Sequence, residues 1–301
     1  MVQFRLLLLC SLFLCFSIIP LTQTCFAQEA GIIYIRADGS IDPLTAPIST
    51  VDNITYTFSS YIFNNSIVIE RDNIIVDGTG FALQEESASG FSGIDLTGRT
   101  NVTIENTVIS CARGISLADS SGNSISGNNI APKYGNSIYL SNSSGNSISG
   151  NNVTADSGSG ILLEYLSNNN TISENNIVNN PFIGIKIKPD SIGNKIYHNN
   201  FINNAIHVST SIGINVWDDG SKGNYWSDYS LKYPNATEID DSGVWNTPYT
   251  ISPSEADNYP LKNQYVIPEF PTFMFLPIFM IATLFIIVIL KKASNPSRIE
   301  S

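Results

Sequence analysis

The chain has 301 residues, of which 14% are charged, with a formal net charge of −11 at neutral pH. That length holds one large domain or two small ones. The acidic balance excludes nucleic acid as a partner, because phosphate binding needs a basic surface.

Residues Leu6–Leu21 are almost wholly apolar, preceded by Arg5 and followed by the small-residue pattern Thr24-Cys25-Phe26-Ala27. This predicts a secretory signal peptide over residues 1–27, cut after Ala27. Its removal takes Cys10, Cys15 and Cys25, leaves Cys111 alone and rules out an intramolecular disulfide. Cys111 is then expected to be a small buried hydrophobe. The segment after the leader, to about residue 268, carries 11 Lys and Arg against 24 Asp and Glu, a net charge of −13.

Residues 28–72 are rich in β-branched and aromatic side chains and lack the repeat described next, so they read as an N-terminal β cap. Over residues 73–215 one phrase returns four times: N-S-I-S-G-N-N-I at 123–130, N-S-I-S-G-N-N-V at 146–153, N-T-I-S-E-N-N-I at 170–177 and N-K-I-Y-H-N-N-F at 194–201. A fixed period of this length marks a unit that cannot bury its apolar face alone and must stack on copies of itself. Each unit holds three short runs that alternate apolar and polar residues, which is the strand period. The predicted fold is all-β: a parallel β-helix, right-handed, with coils about 4.8 Å apart.

Three inward columns follow. The first holds Ile115/Leu117, Ile138/Leu140, Ile161/Leu163, Ile185/Ile187 and Ile206/Val208. The second holds Val76, Ile104, Ile125, Ile148, Ile172 and Ile196, and the third Phe81, Ile109, Ile130, Val153, Ile177 and Phe201. Asn128/Asn129, Asn151/Asn152, Asn175/Asn176 and Asn199/Asn200 fall at turns, where Asn tolerates left-handed backbone and where stacked amides bond to one another. Residues 216–266, with Trp217, Tyr225, Trp226, Tyr229, Trp245 and Tyr249, read as a C-terminal cap whose rings form its core.

Phe270–Leu290 is an uncharged apolar run followed by Lys291 and Lys292. About 20 apolar residues cross a bilayer, so residues 267–290 are expected to form a transmembrane helix or a sorting segment. Residues 291–301 then form a cytoplasmic tail. The predicted address is the extracellular face of the membrane.

The G-I-x-L…N-x-I-x-x-N-N-I repeats resemble those of the NosD-like family of right-handed parallel β-helices, a family described as periplasmic copper-binding and related to carbohydrate-binding and sugar-hydrolase β-helices. The segments at 33–48, 67–80, 215–229 and 246–261 are similar to entry and exit segments of archaeal cell-surface members. I-P-E-F-P at 267–271 resembles the PEF-CTERM sorting signal. That resemblance implies cleavage by an archaeosortase and attachment to lipid in place of a retained span.

The residues themselves argue against copper. Copper favours His, Cys and Met side chains, and the exterior segment offers His198, His207 and Cys111 with no Met. Glycoside cleavage needs two carboxyls across the scissile bond. The outward positions of the first column supply Glu164 alone, and its predicted cross-strand partner is Lys188. A lyase would need acids beside a Lys base, and Lys186 and Lys188 have none in the repeats. Candidate ligand-binding residues are Tyr139, Glu164, Lys186 and His207, all expected to face outward on one groove. No cofactor is expected beyond a structural Ca²⁺ at Asp240 and Asp241, in a loop that resembles Asp-rich loops of relatives but lacks two of their carboxylates. Sequons begin at Asn53, Asn64, Asn101, Asn142, Asn152, Asn169 and Asn235. The expected partners are envelope glycans or surface proteins. The expected function is a non-catalytic scaffold, adhesin or glycan-contact module, with a polysaccharide lyase or hydrolase and a metal-delivery accessory protein as alternatives.

Overall fold

The computed structural model describes residues 31–85, 90–210 and 214–267. The predicted leader, the apolar span beyond Ile267 and the tail lie outside the described residues. Among the described residues no helix is long and apolar enough to cross a membrane.

The described residues form a parallel β-solenoid of about seven turns. Each coil gives one short strand to each of three sheets, which contain nine, eight and eight strands. Nearly all neighbouring strands pair in parallel from coil to coil. The antiparallel exceptions in these sheets are Ile41–Asp42 on Gly31–Ile35 and Ile48–Ser49 on Thr55–Phe58, both at the N-terminal end. The sequence builds this form because each alternating run is too short for an open sheet, whereas stacked runs satisfy one another's backbone groups.

The inward columns are continuous and dry. On the second sheet Tyr56, Val76, Ile104, Ile125, Ile148, Ile172 and Ile196 lie in register, and all are buried. Burying each aliphatic side chain contributes about 1.5–3 kcal/mol. Two corrections apply to the predicted columns. On the third sheet Leu83, not Phe81, pairs with Ile109, and Phe81 is only partly buried. On the first sheet the last coil is offset: Val208 pairs with Ile185 and Ile206 with Ile183, which leaves Ile206 51% exposed.

The parallel ladders begin at Gly31, inside the segment expected to be the N-terminal cap. Gly31–Ile35 pairs with Asn65–Ile69, and Ile62 with Leu83. This first coil lacks the repeat phrase because an excursion over residues 36–54 interrupts it.

At the opposite end the third column is closed by rings. Phe201 stacks on Trp226 with centroids 4.3 Å apart, and Trp226 stacks on Tyr249 at 4.1 Å. A single helical turn, Tyr229–Lys232, and an antiparallel hairpin, Tyr249–Ser252 with Glu255–Asp257, complete that end.

Glycine in the G-I-x-L phrase has a steric cause. A Cβ on Gly114 would lie 1.9 Å from the carbonyl oxygen of Ser137 in the next coil, and one on Gly184 would lie 2.6 Å from that of His207. The chain bends there, so the glycine and the following Ile are both buried.

Candidate functional site

Asparagine ladders organise the end of the solenoid. In one, which starts at Asn128, the residues Asn151, Asn175, Asn199 and Asn224 each offer a side-chain oxygen to the backbone N–H and the amide Nδ2 of the preceding member, Nδ2 to Oδ1 distances being 2.9–3.1 Å. A second runs through Asn123, Asn146, Asn170, Asn194 and Asn215 with 3.1 Å steps. A shorter one joins Asn180 to Asn204 at 2.7 Å. The asparagine-to-asparagine bonds all point toward the C-terminal end, while the same Nδ2 groups also donate back to carbonyls such as Ile104 O and Ile125 O. The aligned ladder bonds leave a positive pole at the C-terminal end, as at a helix N-terminus.

Each ladder meets an ionisable group at that pole. Glu255 Oε1 accepts from Asn215 N at 2.8 Å and Nδ2 at 3.1 Å. Asp257 Oδ2 accepts from Asn224 N at 2.7 Å and from Trp226 Nε1 at 2.9 Å. Both carboxyls sit on the strand Glu255–Asp257, where an i, i+2 spacing puts them on one face. Burial pushes the Asp257 carboxyl up to about 7, against the pull of its donors.

The short ladder ends on His207. Asn204 Nδ2 approaches His207 Nδ1 at 3.2 Å. Because Asn204 Oδ1 accepts from Asn180, its Nδ2 is the donor, which makes Nδ1 of the ring an acceptor. The ring proton therefore sits on Nε2, 3.3 Å from Asp228 Oδ1. Asp228 also bonds Lys232 at 2.9 Å and the Tyr249 hydroxyl at 3.1 Å. Burial works to raise the Asp228 carboxyl, but the bonds from His207 and Lys232 outweigh it and hold the group well below the carboxylate range. Burial drives the Tyr249 phenol upward, reinforced by Asp228. These residues border a pocket of about 310 Å³ with Ile206, Thr250 and Ile251.

The four residues expected on one groove are therefore not all together. Tyr139 and Glu164 meet, the phenol donating to Glu164 Oε1 at 2.6 Å. Lys186 lies in the same outward column as Tyr139, through Leu162. His207, predicted to face outward, takes the buried corner position aligned with Gly184, and its side chain is 6% exposed. Strict alternation fails there because the strand bends. The predicted Glu164–Lys188 ion pair is absent among the described residues, Tyr139 holding the carboxylate instead. Asp240 and Asp241 lie exposed in a turn with positive φ at both, and the neighbouring Glu238 carboxylate is bonded to Lys262. Six sequon asparagines are exposed and Asn64 is half-buried. Sequence reasoning missed Asp228, Lys232, Glu255 and Asp257. The alternating acids of Glu255-Ala-Asp257, beside an aromatic cap, were the available signal.

A copper site does not fit these residues. Among the described residues no three His, Cys, Asp or Glu side chains group to hold a metal. Both nitrogens of His207 are engaged. His198 pairs with Asp219 at 3.1 Å and stacks on Tyr265. Cys111 is fully buried with its thiol pushed up to about 12 by burial, so the thiolate that binds metal is suppressed.

Comparison with known proteins gives a family. No curated protein matches the chain. Solved structures of the periplasmic alginate epimerase AlgG are similar: a single-mutant form at 15% identity and a TM-score of 0.34, covering 51% of this chain and 53% of that one. A further AlgG structure matches at 13% identity and a TM-score of 0.30, over 61% of this chain and 72% of that one. The chain thus spans about half the length of the first of these structures. The model of the family described as periplasmic copper-binding protein (NosD) matches residues 41–231, an exported class in keeping with the predicted leader. With that match covering more than half of a chain that folds as a parallel β-solenoid, the protein belongs to the NosD family.

Proposed function

We propose that this NosD-family chain is a non-catalytic β-helix of the cell envelope, held at the outer face of the membrane by its C-terminal segment, that contacts envelope glycans. The observation that carries this reading is the run of hydroxyls on the second sheet. His207, Asp228, Glu255 and Asp257 all close the C-terminal end of the solenoid and are engaged there by amide ladders and rings. The middle coils of the second sheet present hydroxyls, as in the parallel rows Ser124, Ser147, Thr171 and Ser126, Ser149, Ser173, with Glu105 and Asp77 continuing the latter row toward the N-terminal end. A regular wall of hydroxyls offers donors and acceptors to neutral sugars. The sorting-signal resemblance at 267–271 supports attachment by lipid or by a retained span. The test is a glycan array probed with the full chain. Retention of neutral glycans supports the reading, and absence of retention across the array overturns it.

A further inference from the structure

At the corner where each coil passes from the first sheet to the second, the chain turns through one residue of left-handed backbone. Asn53, Asn73, Asn101 and Asn169 hold this position in four coils, and Gly122, Gly145 and Gly193 hold it in three others. Two residues further on, the strands of the second sheet present one register row. Thr55, Ile75, Thr103 and Thr171 follow the asparagines, and Ser124, Ser147 and Lys195 follow the glycines.

The fold asks for neither residue alone. Glycine meets the same positive φ without strain, so the turn does not require asparagine. Serine, lysine and isoleucine stand in the same row, so the strand does not require threonine. Yet threonine enters the row only in coils whose turn residue is asparagine, and three of the four asparagines have it. The joint pattern is Asn-x-Thr, the acceptor sequence for N-linked sugar. Neither turn chemistry nor strand pairing accounts for the coupling of the two residues.

Exposure separates this column from other sequons. Asn53, Asn101 and Asn169 are exposed, and their threonines are half-buried. Asn101 Nδ2 donates to Asn73 Oδ1 at 2.9 Å on the open surface, which uses one of its two hydrogens. Asn64, in contrast, is half-buried and its partner Ser66 is 3% exposed. Asn152 lies within the strand Asn152–Val153, flanked by Asn129 and Asn176 of the adjoining coils and bonded by Asn176 Nδ2 at 2.8 Å. Asn142 and Asn235 carry sequons on other turns and are not part of the column.

We infer that this corner is a glycan-bearing edge, with N-linked sugar on Asn53, Asn101 and Asn169. The donor is an oligosaccharide linked through phosphate to a lipid. Transfer forms a bond from Asn Nδ2 to C1 of the first sugar and breaks the bond from C1 to the phosphate oxygen. The proton displaced from Nδ2 leaves with that phosphate. Two coils separate the first two sites and three the next pair, so the sugars stand about 10 and 14 Å apart along the solenoid. This goes beyond the glycan-contact reading, because the sugar here is bonded to the chain and not held by it.

The test is glycopeptide mass spectrometry on the full chain recovered from the cells that make it naturally. Sugar is expected on the peptides of Asn53, Asn101 and Asn169, and not on those of Asn64 and Asn152. A wholly unmodified peptide from any of the three, or equal occupancy at Asn64 or Asn152, overturns the inference. Thr103→Val keeps the branched shape of the side chain and removes its hydroxyl. With folding checked by the urea midpoint, it is expected to abolish sugar on Asn101 and leave Asn53 and Asn169 modified, while Thr103→Ser retains all three. Sugar persisting on Asn101 in Thr103→Val would overturn the acceptor role of this column.

Discussion

The neighbouring residues Asn151 and Asn152 look alike in sequence and differ sharply in what they hold. Asn151 is buried in a ladder. Its oxygen accepts from Asn128 N at 2.8 Å and Nδ2 at 3.1 Å, and its amide donates to Ile125 O, Ser149 O and Asn175 Oδ1 at 2.9–3.0 Å. Asn151→Ala leaves the buried Asn128 N–H without an acceptor, at a cost of about 1–3 kcal/mol, and removes further bonds worth about 1 kcal/mol each. The expected loss is about 4 kcal/mol. Asn152 is exposed and accepts only from Asn176 Nδ2, at 2.8 Å. Water replaces that bond, so Asn152→Ala should cost under about 0.5 kcal/mol. Equilibrium urea unfolding of the full chain, followed by far-ultraviolet circular dichroism, separates the two by their midpoints. Because each coil touches only its neighbours, Asn151→Ala is also expected to lower cooperativity. Equal shifts for the two variants would refute the claim that the inner amide ladder, and not the outer one, holds the coils together.

Further outcomes follow from the same geometry. Asp257 has a folded-state value near 7 against 3.8 unfolded. The unfolded chain therefore ionises first, and stability falls as pH rises from about 4 to 7 and levels off above. The change is on the order of 4 kcal/mol, and Asp257→Asn should abolish that slope in thermal melts taken across the range. Asp228, whose value is depressed, acts with the opposite sign below about pH 4, so the two windows do not overlap. Gly114→Ala, which drives a Cβ against the Ser137 carbonyl, should lower stability by at least about 3 kcal/mol in urea unfolding. Copper titration by calorimetry should give no heat of specific binding, and a stoichiometric isotherm would contradict the account of His198, His207 and Cys111. Melting in millimolar calcium tests the loop at Asp240 and Asp241: a rise abolished by Asp240→Asn gives it a metal role, and an unchanged melting temperature denies it one.

The period of the repeat made most of this fold legible. Ile125, Ile148 and Ile172 could be placed in one column from spacing alone, because stacked coils repeat one chemical environment. Two kinds of feature escaped. Alternation fixes which residues face inward along a straight run, but it cannot see the bend where Gly184 and Ile185 are both buried. His207 occupies that bend in the last coil and was therefore assigned to the wrong side. The groups that close the ladders, Glu255 and Asp257, occur once in the chain and so carry no periodic signal. Their role depends on contacts with Asn215 and Asn224, 40 and 33 residues away. The N-terminal coil escaped for a related reason: its excursion over 36–54 hides its pairing of Ile33 with Ile67.

The central claim is that this β-helix holds envelope glycan without transforming it. Prolonged incubation of the full chain with envelope polysaccharide, followed by mass spectrometry and size analysis of the recovered glycan, tests it most directly. The account predicts that glycan is retained with unchanged length and composition. Released oligosaccharide, unsaturated ends or altered sugar stereochemistry would contradict it.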